Sequence, residues 1–235
     1  EALVALGQGF LSHPENGSLR AALHDGSLTT DAFFGQLLRL VYRLIFLLTV
    51  EERGLLHPPG ADPAAVSLYA QGYGLRRLRE RALRAGQHDR HADGWEGLKP
   101  VFRGLAAGEA RLALPPLGGL FATAQCPELD AGSLENRHLL AAVYRLAWLR
   151  DGTTLARVNW KDMGPEELGS VYESLLELVP EVRDDAREFR FAPTDATRGN
   201  ARRLSGSYYT PDPLVQQLLD SALEPVIAQR LAAQP

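Results

Sequence analysis

The sequence predicts a mainly α-helical fold, a multi-helix bundle with few short strands, and three observations predict it. Apolar residues recur at three- and four-residue steps over most of the chain. The periodic runs are bounded by helix-start and helix-stop chemistry, and only two short stretches have strand character.

The clearest periodic run lies at 29–53. Thr29, Thr30 and Asp31 offer side-chain oxygens to the first free N–H groups, and Gly54 supplies a stop. Between them Phe34, Leu37, Leu38, Val41, Leu44, Ile45 and Leu48 share one helical face, which predicts the central core helix. Arg39, Arg43, Glu51, Glu52 and Arg53 interrupt and bracket the apolar stretch, leaving it too short to cross about 30 Å of hydrocarbon. No membrane partner is expected. Further helices are predicted at 2–12, 63–86, 95–107, 134–150, 165–178 and 211–233. They are separated by punctuation such as His57-Pro58-Pro59-Gly60 and Pro115-Pro116-Leu117-Gly118-Gly119. The strand candidates are Leu155 to Trp160 and Glu188 to Ala192, and neither makes a sheet alone.

From Pro193 to Ser207 the chain carries Pro, Thr, Asp, Gly, Asn, Arg and Ser with almost nothing apolar, so it reads as an exposed linker. Three segments are expected: a helical domain at 1–192, a linker at 193–207 and a further domain's beginning at 208–235. With 235 residues, 45% of them apolar, the chain can bury a core without disulfides or metal. A formal net charge of -4 restricts any nucleic-acid contact to local basic patches. The single cysteine, Cys126, excludes an internal disulfide and, with no signal-peptide pattern, predicts the cytoplasm. A start on Glu1, with Met163 the sole methionine, predicts an internal piece of a longer protein.

Most residues that could carry chemistry have simpler roles. Gly7-Gln8-Gly9 and Gly72-Tyr73-Gly74 begin a phosphate-loop pattern that neither completes, so both are expected to be turns or close helix contacts. His88 and His91 lie in a polar stretch with no third ligand, which predicts a solvated loop and no metal site. Cys126 reads as a buried or idle thiol. Glu51-Glu52, Glu166-Glu167 and Asp184-Asp185 point about 100° apart on a helix and read as solvated or helix-end charges.

Two basic clusters stand out in an acidic chain. Arg76, Arg77, Arg79, Arg81 and Arg84 fall within nine residues, and on a continuous helix Arg77, Arg81 and Arg84 share a face opposite Leu75, Leu78 and Leu83. Phosphate contact is one reading, and a surface helix whose arginines pair with neighbouring acids is the other. Arg198, Arg202 and Arg203 form the second cluster, just before Ser205-Gly206-Ser207-Tyr208-Tyr209-Thr210-Pro211. Thr210 is a good N-cap and Pro211 a good first helical residue, so an amphipathic helix carrying Leu214, Val215, Leu218, Leu219, Ala222 and Leu223 starts abruptly there.

That last motif resembles the segment of amino-type N6-adenine DNA methyltransferases that precedes their first glycine-rich cofactor motif. Two other stretches, Arg43 through Leu56 and Leu168 through Glu177, resemble the helical connector of single-chain type II restriction-modification enzymes. The resemblance implies that Tyr209, Thr210 and Pro211 touch S-adenosylmethionine in the full-length protein. It also implies double-stranded DNA as partner in the full-length protein, and the two basic clusters offer Arg77, Arg81, Arg84, Arg202 and Arg203 as the residues expected to contact it. A methyltransferase core would lie downstream and, in the fused enzymes, a nuclease upstream.

The departures are as informative. The glycine-rich cofactor loop, the Asn-Pro-Pro-Tyr-like motif that holds a flipped adenine and the acidic nuclease core are all absent from this chain. No catalytic residue is therefore assigned, and the chain alone is expected to be silent. The alternative reading is a non-catalytic helical module that binds a protein or DNA.

Overall fold

The computed structural model describes residues 1–164, 167, 169–171, 175, 178–192, 210 and 212–232. The chain divides into two compact units, Glu1–Asp162 with Pro180–Ala192, and Met163–Val179 with Pro193–Pro235. As expected, helix dominates. In the first unit run α1 (Ala2–Ser12), α2 (Gly17–Asp25), α3 (Thr30–Arg53) and α4 (Pro63–Leu68). A π turn (Tyr69–Tyr73) leads into α5 (Leu75–Arg81), followed by α6 (Asp93–Ala107), α7 (Pro127–Ala131) and α8 (Asn136–Ala147). Two antiparallel hairpins complete the unit: β1 (Trp148–Asp151) with β2 (Thr154–Arg157), and β3 (Pro180–Arg183) with β4 (Glu188–Phe191). The second unit contains α9 (Asp212–Leu218) and α10 (Glu224–Ala232), joined by a π turn at Leu219–Leu223.

Helix α3 is the axis of the first unit. Thr29 Oγ1 accepts from Ala32 N at 3.1 Å, and Gly54, at φ +67°, lets Leu55 N return to Val50 O at 2.9 Å. The predicted apolar stripe is buried throughout, but so are Phe33, Gln36, Leu40, Arg43 and Leu47 on other faces. By length and composition α3 could cross a membrane, yet 67 % of its most apolar stretch is buried inside the protein, which makes it a core helix.

Glycines in α1 let its neighbours close on it. A Cβ on Gly7 would lie 2.3 Å from the Phe189 ring, and one on Gly9 would lie 2.5 Å from Leu134 Cδ1. Gln8, between them, donates to Arg187 O at 2.9 Å and accepts from Phe189 N at 3.0 Å, so its amide fastens the β3–β4 hairpin to α1. Phe189 then meets Phe33 edge-on at 5.8 Å, and Phe191 meets Phe34 at 5.7 Å. The strand expected at 188–192 thus gains a partner from Pro180–Arg183, across a turn whose Asp184, Asp185 and Ala186 all have positive φ. Asp184-Asp185 is therefore a hairpin turn and not a helical pair.

Several boundaries differ from expectation. The single helix predicted over 63–86 is broken at Gly72–Gly74, where Gly74 turns extended and its N–H bonds to Tyr69 O at 2.8 Å. It also stops at Arg81, so Arg84 lies beyond the helix and not on a face shared with Arg77 and Arg81. The helix predicted to reach residue 150 ends at Ala147, because Trp148–Asp151 pairs as a strand with Thr154–Arg157. Helix α2 carries one buried residue, Leu19, and α7 has five residues, so neither makes a periodic apolar pattern that the sequence could reveal. Most of the helix predicted at 165–178 lies outside the described residues.

Leu44→Ala and Leu48→Ala are each expected to cost about 2–5 kcal/mol in denaturant melts, the range for deleting a buried leucine side chain. Gly7→Ala should cost about 1–3 kcal/mol through the clash with Phe189. Gly97→Ala meets open space on a helix and should instead stabilise by about 0.5–1 kcal/mol.

Candidate nucleic-acid interface

The arginine-rich helix begins on a carboxylate. Glu51, in the last turn of α3, accepts from Leu75 N at 2.7 Å and Tyr69 Oη at 2.5 Å through Oε1, and from Arg76 N at 2.9 Å through Oε2. Acidic side chains are unfavourable at the negative end of a helix, and the free N–H donors at the start of α5 offset that. Burial first, then the Glu51 charge, pushes the Tyr69 phenol well above its ordinary value. The neighbouring Glu52 is nine-tenths buried and ion-paired to Arg79. These two acids are helix-end charges, as the sequence suggests, but they are built into the junction of α3 and α5 and not left to solvent.

The five arginines have separate fates. Arg79 is buried against Glu52, and the exposed Arg76 pairs with Glu80 one turn on, at 3.2 Å. Arg77 donates to Gly72 O at 2.9 Å and so closes the π turn that precedes its own helix. Arg81 bonds Gln87 Oε1 at 3.1 Å and Asp93 Oδ2 at 2.8 Å, which ties the end of α5 to the start of α6. Arg84 is exposed. Of the three arginines in this region predicted to touch DNA, Arg77 and Arg81 are thus engaged within the protein, while Arg84 is exposed and makes no ion pair among the described residues.

Asp93 belongs to a wider polar node. Asn136, fully buried, donates to Asp93 Oδ1 at 2.7 Å and Asp89 Oδ1 at 2.8 Å, and accepts from Gly94 N at 3.1 Å. This organises the loop with the two candidate metal histidines. His88 Nε2 sits 3.0 Å from Ala82 O, and no group of metal-ligating side chains occurs among the described residues. Cys126 is buried at 3.5 Å from Gln36 O, and burial pushes its thiol up to about 11, so it is a poor nucleophile.

Beside α5 opens a cleft of about 880 Å³, lined by Glu52, Arg76, Arg79, Arg157, Lys161 and Asp162 among others. Arg157 and Lys161 were not singled out from sequence. The one available signal was the short β-branched and aromatic run at 155–160, which could not reveal that its hairpin ends beside the arginine helix. A smaller pocket of about 290 Å³ lies between α6 and α7, where Phe102 and Phe121 meet Lys99, Arg103 and Asp130.

In the second unit Thr210 is exposed, and α9 starts at Asp212. Tyr209, Pro211, Arg198, Arg202 and Arg203 lie outside the described residues. Leu214, Leu218, Leu223, Val226, Ile227 and Leu231 are exposed, at 47–66%. The π turn adds one residue per turn between Leu218 and Leu223, which keeps these side chains on one stripe.

The Arg81 guanidinium and the Asn136 amide hold the Asp93 carboxyl below its ordinary value, so the folded state binds its proton less readily than the unfolded chain. This contributes stability that is present above the unfolded value of about 3.9 and lost as pH falls through the lower folded value. Asp93→Asn should therefore flatten the acid limb of stability below about pH 4 in urea melts at several pH values. Arg81→Ala should flatten it too, while Arg84→Ala should leave it unchanged. Comparison with protein-family models, with curated proteins and with solved structures finds no match to this chain.

Proposed function

We propose that this chain is the helical connector and first methyltransferase helix of a single-chain restriction-modification enzyme. That enzyme would transfer a methyl group from S-adenosylmethionine to adenine N6 in double-stranded DNA. One observation carries the reading: directly after Tyr209-Thr210-Pro211, the helical run 212–232 keeps six large apolar side chains in one uncovered stripe. Such a stripe belongs in a core. In the methyltransferases this motif resembles, a glycine-rich cofactor loop and its sheet follow this helix, and they would supply the cover.

Within that reading, the Tyr-Thr-Pro element would sit near the methionine end of the cofactor, and base flipping would use a pocket built from residues further along. The first unit would act as a rigid spacer. The bonds that Glu51, Arg81 and Asn136 make between its elements suit that task, since a connector that must hold modules in register cannot flex. A second reading draws on the same stripe: a partner protein covers α9 and α10, and the chain has no link to methyl transfer.

Calorimetric titration with S-adenosylmethionine separates the two. The 235-residue chain should bind none measurably, because one helix start offers few contacts to offset immobilising the ligand. A protein extended through a glycine-rich cofactor loop should bind it, and Thr210→Ala there should weaken binding by about 0.5–2 kcal/mol, the usual worth of a helix cap. Tight binding by the short chain, or no effect of Thr210→Ala in the long one, would remove the cofactor role from this element.

A further inference from the structure

We infer that the β1–β2 hairpin is a nucleic-acid-docking ribbon that enters a groove of double-stranded DNA, with Arg150 and Arg157 on the phosphates. The inference rests on the reading of DNA as partner and names the surface that meets it.

The hairpin is firmly rooted and otherwise uncommitted. Trp148 Nε1 donates to Arg79 O at 3.3 Å, Trp160 is buried with its Nε1 on Leu146 O at 2.9 Å, and Val158 N bonds Ala147 O at 2.9 Å. Two indoles and a backbone bond thus clamp both strands to α5 and α8. Beyond that root every residue from Leu149 to Arg157 is exposed, including Leu149 at 62% and Leu155 at 37%. A two-stranded ribbon wet on both faces adds nothing to a core and is marginal by itself, so its anchoring makes sense as presentation.

Charge selects the partner. From Trp148 to Lys161 there are three cations, Arg150, Arg157 and Lys161, against one carboxylate, Asp151, in a chain of net charge -4. The register places Trp148 opposite Arg157 and Arg150 opposite Leu155, so Arg150 and Arg157 project from the same face. Arg157 lines the cleft beside α5, and Lys161 and the exposed Arg76 line it too. The cleft also holds four carboxylates, and each has a partner: Glu51 caps α5, Glu52 pairs with Arg79 and at 4.0 Å with Arg157, Glu80 pairs with Arg76, and Asp162 accepts from Asn159 Nδ2 at 2.7 Å. Arg150 makes no ion pair among the described residues.

A two-stranded ribbon fits the major groove of B-form DNA, where the hydroxyls of Thr153 and Thr154 at its tip can meet base edges. The cations on its inner face and along the cleft would then follow the backbone. Single-stranded nucleic acid would need aromatic stacking platforms, and the exposed ribbon has none, its two tryptophans being used at the root.

The test is anisotropy of a labelled mixed-sequence duplex against the 235-residue chain, as wild type and as the double variant R150A/R157A. Both substitutions are on exposed side chains, and matching thermal melts will confirm that the fold is kept. Removing two phosphate contacts should lower the slope of log affinity against log salt by about 1.8 and shrink the wild-type advantage about tenfold between about 50 and about 200 mM salt. Charge reversal, R150E/R157E, should abolish binding. A wild type that binds the duplex with a slope the double variant leaves unchanged overturns the ribbon but not the methyltransferase reading, which the cofactor titration decides separately. Tighter binding to a single strand than to the duplex, or no duplex binding at all, also overturns it.

Discussion

The structure depends on a charge buried in its most apolar helix. Arg43, with no exposed side-chain surface, sits among Leu40, Leu44 and Leu47 of α3. Its guanidinium donates to Leu120 O at 3.0 Å, Ala122 O at 3.3 Å and both Asp130 oxygens at 2.8 and 3.1 Å, and it lies over the Phe102 ring at 5.1 Å. An unpaired cation there would cost several kcal/mol, so the helix tolerates Arg43 only because the chain from Leu120 to Asp130 wraps round to meet it. That segment consists of short 3-10 turns and the five-residue α7, and it has little regular structure of its own to hold it. Burial pushes the Asp130 carboxyl above its ordinary value, with the Arg43 charge pulling the other way.

Other irregular segments are held by the same logic, each by one polar side chain that satisfies several backbone groups. Asn16 donates to Phe10 O and Ser133 O at 2.8 Å each and accepts from Ser133 N at 2.8 Å, which joins the end of α1 to the loop before α8. Gln8 does this for the β3–β4 hairpin, Glu51 for the start of α5 and Asn136 for the loop before α6. Buried amides and carboxylates are favourable only when fully bonded, so they fix one geometry instead of several. Under the proposed reading, that single geometry would suit a spacer between functional modules.

It also explains why arginine-rich sequence did not become an arginine-rich surface. Arg77, Arg79 and Arg81 serve a turn, a buried acid and a helix–helix link respectively. The exposed cations nearest α5 come from elsewhere: Arg84 past the helix end, Arg150 and Arg157 on the β1–β2 ribbon, the latter 4.0 Å from Glu52, and Lys161 beside it.

The sequence by itself determined the helical class, the position of α1, α3 and α6 within about two residues, and the burial of the 34–48 stripe, because periodicity and capping are local. It marked the strand-forming runs at 155–160 and 188–192 but not their partners, since Trp148–Asp151 reads as a helix end and Pro180–Arg183 carries no alternation of its own. Only the tertiary structure decided that Arg43 is core and not a bracket on an apolar stretch. It also decided that the helix predicted at 63–86 breaks at Gly74, where Glu51 can cap a new start, and which cations remain unspent. A side chain's charge is written in its residue type, whereas whether that charge is neutralised depends on what the chain brings to it from far along the sequence, as Asp130 is brought to Arg43 from 87 residues away.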